Sequence, residues 1–190
     1  MSLQGILLYA ARALRFAIIV ELVWLFYYGI RSGGWRGLQN GLQRKQFFWS
    51  SLLVFYLAAL LQITVIRGGV SLASVLGAPH DGSTVQLVPL WYTLQQAKGG
   101  WWAIVYPICG NVMWFLPLGL LLPKLWPQRF ACGRAVLGVA LLLSVSIEVL
   151  QWLFGSGISD VDDVIFNVAG AWLGWCLEQQ FHTIKSFFHW

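Results

Sequence analysis

The chain has 190 residues, of which 58% are hydrophobic and 10% charged, with a formal net charge of +5. Soluble domains run at about 45–50% apolar and about 25% charged residues, so this composition excludes an ordinary soluble fold and describes an integral membrane protein. The basic residues form no stripe alternating with base-stacking aromatics, which excludes a nucleic-acid partner and assigns the positive balance to membrane-adjacent loops and anionic lipid headgroups.

Residues 4–30 make the first hydrophobic element. Arg12 and Arg15 lie inside it, Glu21 follows, and no small-residue cleavage site is present, so it reads as a retained segment and not a secretory signal. A crossing needs about 20 residues, a length that Phe16 to Ile30 reaches only if the arginines snorkel. Glu21 is expected to pair with an arginine. Residues 31–46 are polar, glycine-rich and basic, with Arg31, Arg36, Arg44 and Lys45. Phe47 to Ile66 is a clean second span.

Residues 67–100 form a long connection with turns at Pro79 and Asp81-Gly82. Its apolar parts, 70–76 and 87–92, predict packing on the bilayer surface or re-entry, as in a lid or binding element. His80 reads as a solvated turn residue. Trp101 to Leu122 is the third span and contains Asn111 and Pro117; Lys124, Arg129 and Arg134 follow in a short loop. Ala135 to Phe154 is the fourth span, Val164 to about Leu177 the fifth, and residues 178–190 an amphipathic interfacial tail. Twelve tryptophans suit the two interfacial belts. Cys109, Cys132 and Cys176 have neither disulfide-framework nor metal-ligand spacing and read as small core hydrophobes.

The expected fold is all-α, a polytopic transmembrane helix bundle of about five spans. Placing the N-terminus outside and the C-terminus inside puts eight of the twelve Lys and Arg residues on the inner side, and only Arg12, Arg15, Arg67 and Lys98 outside.

Polar residues interrupt the last spans. Ser144, Glu148 and Gln151 are three and four apart and share one face of the fourth span; Asp163 and Asn167 share a face at the start of the fifth. Together with Asn111 they are expected to line an outward-facing polar pocket, because an ionisable group left unpaired in lipid is costly. Glu148, ~9 Å from the outer end of its span, is the candidate general acid or base. Asn111, Gln151, Asp163, Asn167 and Ser144 are candidate binding residues. Asp160 and Asp163 are candidate ligands for Mg²⁺ or Ca²⁺, ions that prefer oxygen.

Plainer readings compete for the same residues. Ser159 followed by Asp162 resembles a capping box, and acids in a first helical turn suit its dipole by ~0.3–1 kcal/mol each. Gln151 and Asn167 could be interhelical glue worth ~0.6 kcal/mol per contact. Gly170 and Gly174, four apart, let two helices approach closely.

NVMWFLPLGLLLP (Asn111 to Pro123), SVSIEVLQWLF (Ser144 to Phe154) and SDVDDVIFNVAGAWLG (Ser159 to Gly174), in this order, resemble the three motif helices of the VanZ-like membrane family. QLVPLWYTL (Gln86 to Leu94) is similar to the element before the first of them. The resemblance divides the chain into an added N-terminal helix and basic cytoplasmic loop (1–46), a bundle (47–177, motif core 86–177) and the tail (178–190). Carried over by position, the family's polar residues fall on Asn111, Glu148, Gln151, Asp160, Asp163 and Asn167. Gly157 stands where many members have an arginine, so a guanidinium beside Glu148 would have to come from elsewhere, such as Arg67, with Lys98 as a lysine substitute.

The resemblance implies a multi-pass protein of the bacterial plasma (inner) membrane that influences envelope properties or susceptibility to teicoplanin-type glycopeptides. The expected ligand is an anionic or lipid-linked headgroup, such as a lipid-linked cell-envelope precursor or a lipophilic glycopeptide. The alternatives are a membrane enzyme acting on a phosphorylated or glycosylated lipid by carboxylate and divalent-cation chemistry, and a structural subunit with a protein partner.

Overall fold

The computed structural model describes residues 3–31, 41–66 and 85–188. The stretch 67–84, with Arg67 and His80, and residues 32–40 of the basic loop lie outside the described residues. The described chain is almost wholly helical: α1 (Leu3–Arg31), α2 (Gly41–Thr64), β1 (Val85–Gln86), α3 (Trp91–Gln96) with a 3₁₀ turn (Ala97–Gly99), α4 (Trp101–Leu125), α5 (Gly133–Phe154), β2 (Ser159–Asp160) and α6 (Val161–Phe188). Among the described residues, four helices are long and apolar enough to cross a membrane: Ala10–Arg31, Gly41–Thr64, Trp101–Leu125 and Gly133–Phe154. Asp162, Asp163 and Glu178 dilute the apolar character of α6. The sequence predicts a fifth span, Val164 to about Leu177, and a separate tail from residue 178; the structure joins these stretches in one continuous 28-residue helix, which is not among the four.

The chain separates into two compact units, 1–69 and 70–190. In the first, α1 packs on α2. Ala13, Ala17 and Ala58 are buried there, small side chains that let the two helices approach, and the Tyr28 and Phe47 rings meet at 4.6 Å. Among the described residues no arginine pairs with Glu21. Its buried Oε2 has no hydrogen-bond partner, and neither do Trp24 Nε1 and Ser51 Oγ.

In the second unit α6 packs against both α4 and α5, while α4 and α5 scarcely touch. Contacts from Asn111–Asp163 through Gly119–Ala171 to Lys124–Glu178 advance along both helices, so α4 and α6 run parallel and α5 returns between them in sequence. Glycine makes the α4–α6 contact close. A Cβ on Gly170 would stand 2.8 Å from Val112 Cα, one on Gly119 2.7 Å from the Trp175 amide nitrogen, and one on Gly174 3.1 Å from the Leu116 carbonyl carbon. The lower end is tied by the Lys124–Glu178 ion pair and by Trp175 Nε1 donating to the Phe130 carbonyl at 3.1 Å.

Helix α4 continues through Pro107, Pro117 and Pro123, each lacking an amide hydrogen. Membrane helices tolerate such residues where neighbours re-satisfy the freed carbonyls. Helix α5 ends at Gly155, whose φ of 58° is the left-handed conformation glycine adopts without strain.

Candidate functional site

The parallel course of α4 and α6 places the N-terminal parts of both helices beside the C-terminal part of α5. Four polar segments meet at this end: Asn111 on α4, Ser144 to Gln151 on α5, the 159–163 turn opening α6, and residues 85–93. Ser144, Glu148 and Gln151 are all buried on the α5 face expected from their spacing.

Asp163 and Asn167, although on one helical face, divide their partners between two helices. Asn111 Nδ2 donates to Asp163 Oδ1 at 2.5 Å, joining α6 to α4. One turn along, Asn167 Nδ2 donates to Ser144 Oγ at 2.9 Å, joining α6 to α5 in a fully buried bond. Glu148 Oε2 accepts the Asp160 amide at 2.9 Å, and its backbone carbonyl accepts Ser159 Oγ at 3.2 Å. A glutamate within a span thus receives backbone hydrogen bonding from the turn that follows it.

The expected Ser159–Asp162 capping box does not form. Asp160 is the N-cap: its Oδ1 accepts the Asp162 amide at 3.0 Å. Ser159 is drawn instead to the α5 carbonyl, and the Asp162 side chain leaves its own helix. Burial pushes the Asp160 carboxyl above the ordinary carboxylate range; the Asp162 amide pulls it down and the neighbouring Asp162 charge adds to the rise.

Asp162 is the residue whose role the sequence concealed. Only 1% exposed, it accepts the Leu90 amide at 2.6 Å on Oδ1 and the Thr93 hydroxyl at 2.6 Å on Oδ2, with the Thr93 amide at 3.4 Å. It caps α3 from seventy residues away. The signal was a helix opening at Leu90-Trp91 without a Ser, Thr, Asp or Asn before it, which leaves its first amides needing an acceptor from elsewhere. The same segment is held by β1, which pairs in parallel with β2, Val85 opposite Ser159 and Gln86 opposite Asp160.

Among the described residues, no group of three or more His, Cys, Asp or Glu side chains is placed to hold a metal ion. Asp160 spends Oδ1 on the helix cap, and Asp163 is turned toward Asn111. The charge balance is nonetheless plain from the sequence: no lysine or arginine occurs between Gly100 and Pro123 or between Ala135 and Ile184. The segments forming this cluster supply carboxylates and amides, and the positive end of the α6 dipole offsets part of the acid charge.

The VanZ/LLP1 family model matches residues 53–181. Protein VanZ of Enterococcus faecium is 28% identical over 123 residues, covering 65% of this chain and 68% of that protein. No solved structure matches. The match takes in α4, α5, the 159–163 turn and most of α6, the elements that assemble the polar cluster, and on that extent the chain belongs to the VanZ/LLP1 family of membrane proteins.

Proposed function

We propose that the protein is a multi-pass protein of the bacterial plasma membrane whose polar cluster receives the headgroup of a lipid-linked or lipophilic envelope ligand and thereby alters susceptibility to teicoplanin-type glycopeptides. The observation that carries this reading is the convergence of Asn111, Glu148, Asp160 and Asp163 at one end of α4, α5 and α6, the first two of them long and apolar enough to cross a membrane. Polar side chains in such helices are costly and are kept where they bind or react.

Helix α6 lies along α4 for most of the latter's length, which supports counting α6 as a fifth crossing. The basic residues 124–134 and Lys185 fall at the end away from the cluster. The positive-inside rule then supports a cytoplasmic C-terminus and an outward-facing cluster.

A cluster of carboxylates and amides, in stretches 101–122 and 135–184 that hold no lysine or arginine, suits a headgroup that presents hydroxyl or ammonium donors. An anionic headgroup would bring its own cation, with Mg²⁺ or Ca²⁺ between it and Asp163. Expression in a glycopeptide-susceptible Gram-positive host should raise the teicoplanin inhibitory concentration. E148A and D163A, at membrane levels matched by immunoblot, should return it to the baseline. Full retention by both variants would remove the cluster from the account.

A further inference from the structure

Residues 85–99 have two unlike sides. The inner side is pinned: the carboxylate of Asp162 takes the Leu90 amide, the Thr93 hydroxyl and the Thr93 amide, and β1 pairs with β2. Leu90 is held at φ 61°, a left-handed conformation that costs a leucine ~1–2 kcal/mol and persists only where surroundings enforce it. The outer side is apolar and open, with Leu87, Val88, Leu90, Trp91 and Leu94 between 48% and 74% exposed. Lys98, hydrogen-bonded to Gln95 at 3.2 Å, supplies a charged end.

An apolar patch of this density is not a stable water-facing surface. Its position names the occupant. From Gln96 to Trp101, where a membrane-length helix begins with two exposed tryptophans, is five residues, at most ~17 Å of chain. Paired tryptophans at the start of such a helix belong to the bilayer interface, so α3 lies within reach of the headgroup region.

We infer that residues 85–99 are a membrane-interface strap, its apolar side embedded at the headgroup–acyl boundary and its inner side latched to the bundle by Asp162. Asp162 is a positioning residue. Its side chain holds the strap, its own amide is bound by Asp160, and the Asp160 amide is bound by Glu148, so the lipid-facing strap and the polar cluster share one hydrogen-bonded chain. This holds whatever the cluster binds.

Two measurements on the full chain in phospholipid nanodiscs test it. With the three native cysteines replaced by alanine, bimane is attached at L94C, at L142C on the exposed face of α5, and at Q128C in the α4–α5 loop. Nitroxide-labelled lipid should quench position 94 at least half as strongly as position 142, and iodide should quench it less than position 128. Quenching by iodide equal to that at 128 would overturn the strap, as would protection from both quenchers, which would mean a protein surface covers it.

For the latch, D162N and T93V should accelerate amide exchange at residues 90–94 about tenfold, with α5 peptides unchanged and T93S restoring the wild-type rate. If D162N does not fold, T93V and its T93S rescue decide alone. Unaltered exchange at residues 90–94 in T93V would overturn the latch.

Discussion

Substituting Gly170 by alanine tests the architecture that brings the cluster together. The added Cβ would stand 2.8 Å from Val112 Cα and closer still to the Val112 carbonyl oxygen. These are backbone atoms, so no rotamer change relieves the contact and the two helices must separate. Overpacking typically costs ~1–3 kcal/mol, and a contact with backbone belongs at the upper end. Alanine in place of a helical glycine returns about 1 kcal/mol through propensity. The net loss is therefore ~2 kcal/mol, about a 30-fold fall in the folded-to-unfolded ratio.

G138A and G110A are the controls, because a Cβ at either position meets nothing within 4 Å while the propensity gain remains. Intrinsic tryptophan fluorescence during thermal unfolding in nanodiscs, with twelve tryptophans as reporters, would rank the variants. G170A and G174A should melt below wild type, and G138A and G110A at or above it. Should G170A or G174A match the controls, the close α4–α6 approach is wrong, and the Asn111–Asp163 bond built on it falls too.

Two further outcomes follow from the cluster. In a double-mutant cycle, S144A and N167A should couple by ~0.6 kcal/mol, the average for an interhelical polar contact in a membrane protein, and a coupling of zero would show that their buried bond does not form. D160N should leave the α6 cap intact, since asparagine caps as well as aspartate. Because burial raises the Asp160 carboxyl, the stability it contributes is full below its unfolded pKa and is lost as pH rises through the folded value. D160N should therefore be at least as stable as wild type near neutral pH, with the difference closing as buffers approach about pH 4. A D160N advantage that widens on acidification would reverse the sign of the argument.

The local rules of a membrane chain act through composition and spacing, and those parts were readable. Apolar runs gave the four long helices to within a few residues at most of their ends, because hydrocarbon admits little besides fully hydrogen-bonded helix. The start of the second was the exception, since α2 begins at Gly41, six residues before Phe47, and takes Arg44 and Lys45 into its first turns. Helical periodicity placed Ser144, Glu148 and Gln151 on one buried face, and the Gly170–Gly174 pair announced a close contact. Neither said which helix was approached.

Pairing across the chain was beyond local reading. Asp163 and Asn167 share a face, yet a helix lodged between two neighbours turns successive residues to different partners, Asn111 on one side and Ser144 on the other. Asp162 read as a capping residue of its own helix, but Asp160 already occupied that place, which freed the Asp162 carboxylate for α3. Composition and period decided that these helices form and where they bury polar groups. Only the parallel course of α4 and α6 decided which groups meet, since hydrogen-bond partners depend on distances between segments far apart in the chain.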